Sequence, residues 1–387
     1  MKSSGPRARL IDSIAEVPAA AWDRLASPAG RELNPFVSHA FLKALEDSNS
    51  VCAVAGWRPM HALLEDNGAV VAASPMYLKT HSYGEYVFDH QWADAFQRAG
   101  GRYYPKLQVA VPFTPATGPR LLVGANEAVR LPLAQALMQF AEHLRVSSLH
   151  ITFPDRAEWD ELKKLGFLQR TDQQFHWQNQ GYKDFDAFLA ALSSMKRKNL
   201  RRERAEALQA GVTVEWLSGS DISESHWDAF FEFYVDTGSR KWGSPYLTRE
   251  FFSLVGAAMP DRILLVMAKR SGRYIAGALN FIGSHALFGR NWGAIEHHRF
   301  LHFELCYYQA IEFAIAKGLA RVEAGAQGAH KLARGYMPVE THSLHWIAHS
   351  GLRQAVQHYL NEERRAVTEE IEALSEHGPF RKENPPD

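Results

Sequence analysis

Apolar and polar positions alternate along Leu63–Tyr77 (LLEDNGAVVAASPMY) and again along Met267–Phe281 (MAKRSGRYIAGALNF). Each run breaks at a polar turn ending in glycine, Gly68 after Asn67 and Gly272 after Ser271. Alternation with period two predicts strands, and such a turn predicts a tight hairpin with positive φ. An ungapped shift lays the first hairpin on the second. Another pair follows. Leu131–Phe153 reads as an apolar helix and then a strand, SSLHITF, and Phe303–Gly325 reads as a helix and then LARVEAG. Upstream, Trp22 in PAAAWDRL and Trp227 in SESHWDAFFEF each fall on a helix after a short strand. Closing strands are expected at Gln173–Gln178 and His342–Ala348, both containing His-Trp.

Repetition of this kind points to duplication. The pattern predicts two α/β halves, 7–180 and 181–349, joined near Gly181. Each reads β-α-α-β-β-β-α-β with a last strand after it. The first half carries a longer aromatic and Pro-rich stretch near Phe88–Thr117. Residues 350–387 are expected to form a long helix, Gly351–His377, and a disordered tail, GPFRKENPPD.

Composition narrows the class. In 387 residues, 46% are hydrophobic and 22% charged, which are globular values with enough apolar material for two cores. The 43 basic and 43 acidic side chains cancel, so any polyanion contact must come from a local patch. Cys52 and Cys306 belong to no metal-ligand pattern and are expected as buried thiols, so no metal site is expected. The N-terminus lacks an apolar signal region, and no run approaches the roughly 20 apolar residues of a membrane helix. A cytoplasmic protein is expected.

One patch does concentrate charge. Lys196, Arg197, Lys198, Arg201, Arg202 and Arg204 fall within one short helix, in which Glu203 and Glu206 are the only acids. This is either a solvated basic helix or a surface for a phosphate-bearing ligand, tRNA included. No helix-turn-helix signal accompanies it to suggest DNA reading.

The run Gly325–Trp346, GAQGAHKLARGYMPVETHSLHW, concentrates chemistry differently. Gly325, Gly328 and Gly335 permit close backbone approach. His330, Lys331 and Arg334 offer donors to phosphate or carboxylate, and Pro338 is expected to end any helix begun at Ala329. The plain alternative is an ordinary loop with solvated charges.

Two segments carry a family resemblance. Ser193–Val214 resembles the helix-to-strand run between the halves of Fem-type aminoacyl transferases. Gly325–Trp346, with LHFELCYYQAIEFAIAKGL before it, resembles the signature of the FemAB-like family of peptidoglycan-related N-acyltransferases. The element order of each half is that of a GNAT (acyl-CoA N-acyltransferase) domain. The resemblance implies a tandem duplicated GNAT fold, α/β with mixed sheets, and transfer of an acyl or aminoacyl group to an amine on a small molecule or cell-wall precursor. The donor is acyl-CoA or aminoacyl-tRNA. The GNAT pyrophosphate loop, Q/R-x-x-G-x-G/A, has no counterpart in Gly293–Glu304, which fits the aminoacyl-tRNA donor of Fem enzymes.

An attacking amine must lose a proton, so a base is needed. Candidates are Glu323, Glu304, His330, His297, His298 and His302. Glu323 interrupts an apolar strand, where an acid needs a partner such as Lys331 or Arg290. Glu304 opens a helix, where the dipole also favours an acid structurally. Arg290, Trp292 and His302, together with Gln327, Lys241 and Trp242, are candidates for substrate contact, as are Lys196, Arg197 and Arg201. The aromatic stretch Gly84–Phe96 is either core or the wall of an acceptor groove. No G-x-S-x-G elbow is present, so direct transfer is expected. The alternative is a non-catalytic GNAT-derived module that recognises a nucleotide-sugar or tRNA.

Overall fold

The computed structural model describes residues 5–241, 245–325 and 328–381, the side chains of 239–241 and 329 excepted. Two compact units form. The first takes in the described residues of Met1–Asp172, Tyr246–Phe251 and Glu340–Thr368. The second takes in those of Gln173–Pro245, Phe252–Val339 and Glu369–Asp387.

In the first unit, β1 (Arg7–Ile11), β3 (His61–Asp66) and β4 (Ala69–Ser74) form an antiparallel sheet in the order β1-β3-β4. β2 (Trp57–Pro59), β5 (Met76–Lys79), β6 (Lys106–Val109), β7 (Ser148–Thr152) and β14 (Met337–Ile347) lie in the order β2-β5-β6-β7-β14, with β6 and β7 parallel. One face of this sheet is apolar. Leu107, Val109, Leu149, Ile151 and Leu344 pack there with Leu133 and Leu137 of helix Arg130–His143. Burying each such side chain contributes roughly 1.5–3 kcal/mol. The long aromatic stretch is more than an excursion, because it supplies helix His90–Arg98 and the strand β6 itself.

The second unit follows the same plan. β9 (Val212–Leu217), β10 (Ile263–Arg270), β11 (Arg273–Ile282) and β12 (Ala286–Ala294) are antiparallel neighbours. β12 then pairs in parallel with the short β13 (Arg321–Glu323), as β6 does with β7. Each sheet is closed by a strand from the other sequence half. β8 (Leu168–Gln178) pairs with β13 through His176, Trp177 and Gln178, and β14 pairs with β7 through Ser343–Ile347.

The two hairpins match in detail. Asn67 and Gly68 have φ of 49° and 81°, and Ser271 and Gly272 have 51° and 79°. Positive φ at both turn residues is the type I′ turn that suits the twist of paired strands. Each hairpin also carries a bulge near its turn, at Leu64/Glu65 and Ala268/Lys269.

Several expectations need correction. The 3-10 segment Ala329–Arg334 ends at left-handed Gly335, and Pro338 lies within β14. Gly335 also sits where an added Cβ would be 2.8 Å from the Phe188 ring, so space as well as φ selects glycine. After the long helix Ser350–Glu376, the chain is ordered through Arg381. Phe380 bridges Leu192 and packs on the second core, which gives the start of the tail an apolar reason to dock. Cys52 and Cys306 are half-buried rather than fully buried thiols.

Candidate active site

β12 and β13 stay together for only three residue pairs, from Ala286↔Arg321 to Phe288↔Glu323. β12 then runs on to Ala294 against β11, while the chain after Glu323 leaves through Ala324 and Gly325. The strands fork at Gly289 and Glu323, at the carboxyl end of a parallel pair. Such a fork leaves backbone groups without ladder partners and is where open α/β sheets take ligands.

Glu323 sits at the fork and is 4% exposed. One carboxylate oxygen accepts from Arg321 Nε at 2.9 Å, so its partner is Arg321 and not Lys331 or Arg290. The other, Oε2, has no hydrogen-bond partner among the described residues and lies 3.8 Å from His176 Nε2. His176 is the cross-strand neighbour of Glu323, and burial holds its imidazole toward the neutral form. Lys331 is also buried. Its ammonium donates to Gly325 O at 2.8 Å, and burial pushes it down to about 8. Among the described residues no carboxylate forms an ion pair with it.

A second group surrounds the start of the long helix. Leu301–Phe303 is α-helical, Glu304–Tyr308 is a π turn, and Gln309–Ala316 resumes the α-helix. π turns are uncommon and concentrate at functional sites. This one presents Glu304 to Arg204, Tyr307 to His330 and Tyr308 to Glu203. Glu304 is fully buried and accepts from Arg204 Nη2 at 2.8 Å and from Gln309 Nε2 at 2.7 Å. Tyr307 and His330 share a hydrogen bond of 2.9 Å, with His330 exposed. Trp292, half-buried on β12, meets the His302 ring at 4.9 Å, and His302 meets Tyr307 at 5.4 Å.

Arg334 ties these parts together. It donates to Glu203 Oε2 at 2.9 Å, to Tyr308 Oη at 3.1 Å and to His330 O at 2.7 Å, and lies 3.5 Å over the Phe303 ring. Glu203, which also accepts from the Tyr308 hydroxyl, was missed by the sequence reading. Its signal was the acid interrupting the basic run. That helix, Ser194–Ala207, turns Glu203 and Arg204 inward and leaves Lys198, Arg201 and Arg202 exposed, with Lys196 and Arg197 half-buried. Arg201 pairs with Asp186 at 3.1 Å.

The fork therefore brings Glu323, His176 and Lys331 together, and the π turn brings His302, His330, Trp292 and Arg334 together. Arg290 is half-buried on β12. His298 pairs with Glu296 at 2.9 Å and His297 is exposed. Trp242 and Gln327 lie outside the described residues, and Lys241 is described only as the last residue of helix Glu224–Lys241. Among the described residues no group of three His, Cys, Asp or Glu is placed to hold a metal ion. None of the described helices is long and apolar enough to cross a membrane.

The model of the FemAB-like family, described as peptidoglycan biosynthesis/recognition, matches residues 13–382. The chain belongs to the FemAB-like family. No curated protein sequence matches it. Among solved structures, FemX is 12% identical with a TM-score of 0.54, over 88% of this chain and 98% of FemX. A C-terminal DUF2156 domain from Agrobacterium fabrum is 10% identical, with a TM-score of 0.53 over 89% of this chain and 96% of that one. L-PGS from Bacillus licheniformis is 10% identical, with a TM-score of 0.50 over 92% and 100%. At these identities the structural likeness speaks for the fold. That fold is a tandem GNAT fold with a C-terminal helix.

Proposed function

We propose that this FemAB-like protein transfers an acyl or aminoacyl group directly to an amine of a cell-wall precursor, with the fork of β12 and β13 as the reaction site. The observation that carries this reading is Glu323, a buried carboxylate at the fork with one oxygen free of hydrogen bonds. In the proposed step the amine nitrogen attacks the donor carbonyl. The C–N bond forms, the bond to the donor's alcohol or thiol breaks, and the leaving oxygen or sulfur departs with the electron pair. Glu323 takes the proton that the nitrogen sheds, directly or through water. Lys331 faces the developing negative charge, and its lowered proton affinity suits return of a proton to the leaving group. Glu304, committed to Arg204 and Gln309, and Arg334, committed to Glu203 and Tyr308, hold the π turn and the Gly-flanked loop in position.

The exposed Lys198, Arg201 and Arg202 supply the charge that an aminoacyl-tRNA donor would need. The test is transfer from acyl-CoA and from aminoacyl-tRNA to an amine-bearing cell-wall precursor, with native mass spectrometry of the purified protein to see which donor it retains. Turnover with either donor that vanishes in Glu323→Gln supports the reading. Binding of the precursor with no transfer from either donor supports a recognition module instead.

A further inference from the structure

The face of the first unit's β2-β5-β6-β7-β14 sheet opposite the Leu107–Leu149 core is polar and buried. β5 and β6 place Lys79 directly opposite Lys106, and both are fully buried. Farther along the same face come Gln108, His150 and His345, cross-strand neighbours on β6, β7 and β14. The two histidines share an Nδ1–Nδ1 hydrogen bond of 2.7 Å. Like charges facing each other across a ladder are destabilising, and buried ion networks seldom stabilise a fold better than apolar side chains of equal size. A GNAT-sized core has no need of two lysines here.

What neutralises them comes from the long stretch between β5 and β6. Lys106 Nζ donates to Ser82 Oγ at 2.8 Å, Glu85 Oε2 at 2.7 Å and Asp89 Oδ2 at 2.5 Å. Lys79 fares worse. It has only Tyr83 O at 3.3 Å and the Trp57 ring at 3.6 Å, with Glu85 Oε1 at 3.8 Å. The fit is incomplete in three more places. Glu85 Oε1, Asp89 Oδ1 and Trp57 Nε1 are buried without hydrogen-bond partners. Burial pushes Glu85 up to about 7 and Lys79 down to about 7, so this pair is close to losing its charges near neutrality. In the covering segment, Ser82, Glu85, Val87 and Asp89 point in, while Tyr83 and Phe88 are exposed. The segment also holds Tyr86 at a φ of 58°, a strained value of the kind found in ligand clamps and switches.

We propose that Lys79 and Lys106 form a binding site for a multiply charged oxyanion, a phosphate or dicarboxylate group of a ligand, which Glu85 and Asp89 of the covering segment occupy in its place. A bound oxyanion between the two ammonium groups gives Lys79 a close anionic partner in place of Glu85 Oε1 at 3.8 Å. Trp57, whose ring lies against Lys79, adds a buried indole N–H that has no hydrogen-bond partner among the described residues. The segment from Ser82 to His90 is then the closure that the ligand displaces. The inference stands on the first unit alone and does not depend on chemistry at the second.

The test uses the full chain with inorganic phosphate and succinate as probes, at constant ionic strength held with chloride. Glu85→Gln/Asp89→Asn removes the internal competitors, and calorimetry should show the probe binding at least tenfold tighter than to the wild type. Adding Lys79→Met should abolish that binding. Response to phosphate alone assigns a phosphate ligand, and response to both assigns the shared chemistry. Hydrogen exchange of the wild type is the second reading, needed where the double variant fails to fold. Amides of 82–90 should exchange faster with probe than with chloride. Equal affinity in wild type and double variant overturns the proposal, as does unchanged exchange in that segment at saturating phosphate and succinate.

Discussion

Glu323 and Glu304 look alike in the sequence, two acids in apolar surroundings, and the structure separates them by their partners. Both oxygens of Glu304 lie against Arg204, with Gln309 added, whereas Glu323 Oε2 is unengaged. Glu→Gln should therefore act differently at the two positions. At Glu323 we expect turnover to fall ~10²–10⁴-fold, the usual share of a general base, with the melting temperature nearly unchanged. At Glu304 we expect a stability loss of about 1–3 kcal/mol, because Arg204 loses its buried partner but is partly exposed and keeps Glu312 at 2.8 Å. Denaturant titration and single-turnover rates on the two variants decide it, and a stable, inactive Glu304→Gln would reverse the assignment. Lys331 gives a pH-dependent test. Its folded value of about 8 lies below its ordinary 10.5. Between these values the unfolded chain holds the proton and the folded chain does not, so stability gains with rising pH. Below about 8 the full cost of burying the ammonium is present. Lys331→Met removes that cost along with the bond to Gly325 O. The variant's melting temperature relative to wild type should be highest at pH 7 and decline toward pH 10. A difference independent of pH would show that Lys331 does not titrate in that window.

The hairpins were legible because their cause is local. A polar residue and a glycine between alternating runs fix the turn, and the turn fixes the register. The same reasoning predicts an asymmetry between them. Asn tolerates left-handed φ better than Ser, so Ser271→Asn should raise stability by a few tenths of a kcal/mol while Asn67→Ser lowers it by about as much, read by thermal melting. A loss from Ser271→Asn, or a gain from Asn67→Ser, would mean the turns are not equivalent. Other elements were illegible for a matching reason. The π turn leaves no mark in the periodicity of LHFELCYYQAIEF, because the run is buried on nearly every side and has no polar face to record a phase shift of about 100°. The Lys79–Lys106 network draws on β5, β6 and the segment between them, and no single window contains it. Glu203 reads as a solvated acid until Arg334, far along the chain, comes to meet it. The base at Glu323 was legible because a charge inside a short apolar strand is conspicuous, though its nearest partner, Arg321, was not singled out.

At the scale of the molecule, we propose that 7–180 and 181–349 are two GNAT-like copies that have exchanged closing strands. The first unit has β1-β3-β4 as a sheet of its own, and its other sheet runs β2-β5, then the parallel pair β6 and β7, then β14. The second runs β9-β10-β11, then β12 and β13, then β8. The final member of each series belongs in sequence to the other copy, since His176–Gln178 pair with β13 and Ser343–Ile347 pair with β7. The exchange has an energetic consequence. β7 without β14 has an open edge, and Trp346 and Leu344 leave the first core with that strand. β13 without β8 is three residues long with one partner, and Trp177, which is fully buried, leaves the second core. Removing one large core side chain typically costs 3–5 kcal/mol, and whole domains are stable by only 5–15 kcal/mol. Each copy expressed alone, as 1–180 or 181–387, should therefore lack cooperative unfolding and expose hydrophobic surface. The two fragments mixed should recover the transition, and their joint melting should depend on concentration because the association is bimolecular. A fragment 1–180 that unfolds cooperatively by itself would show that the first copy is closed without β14, and would sink the exchange as a determinant of folding.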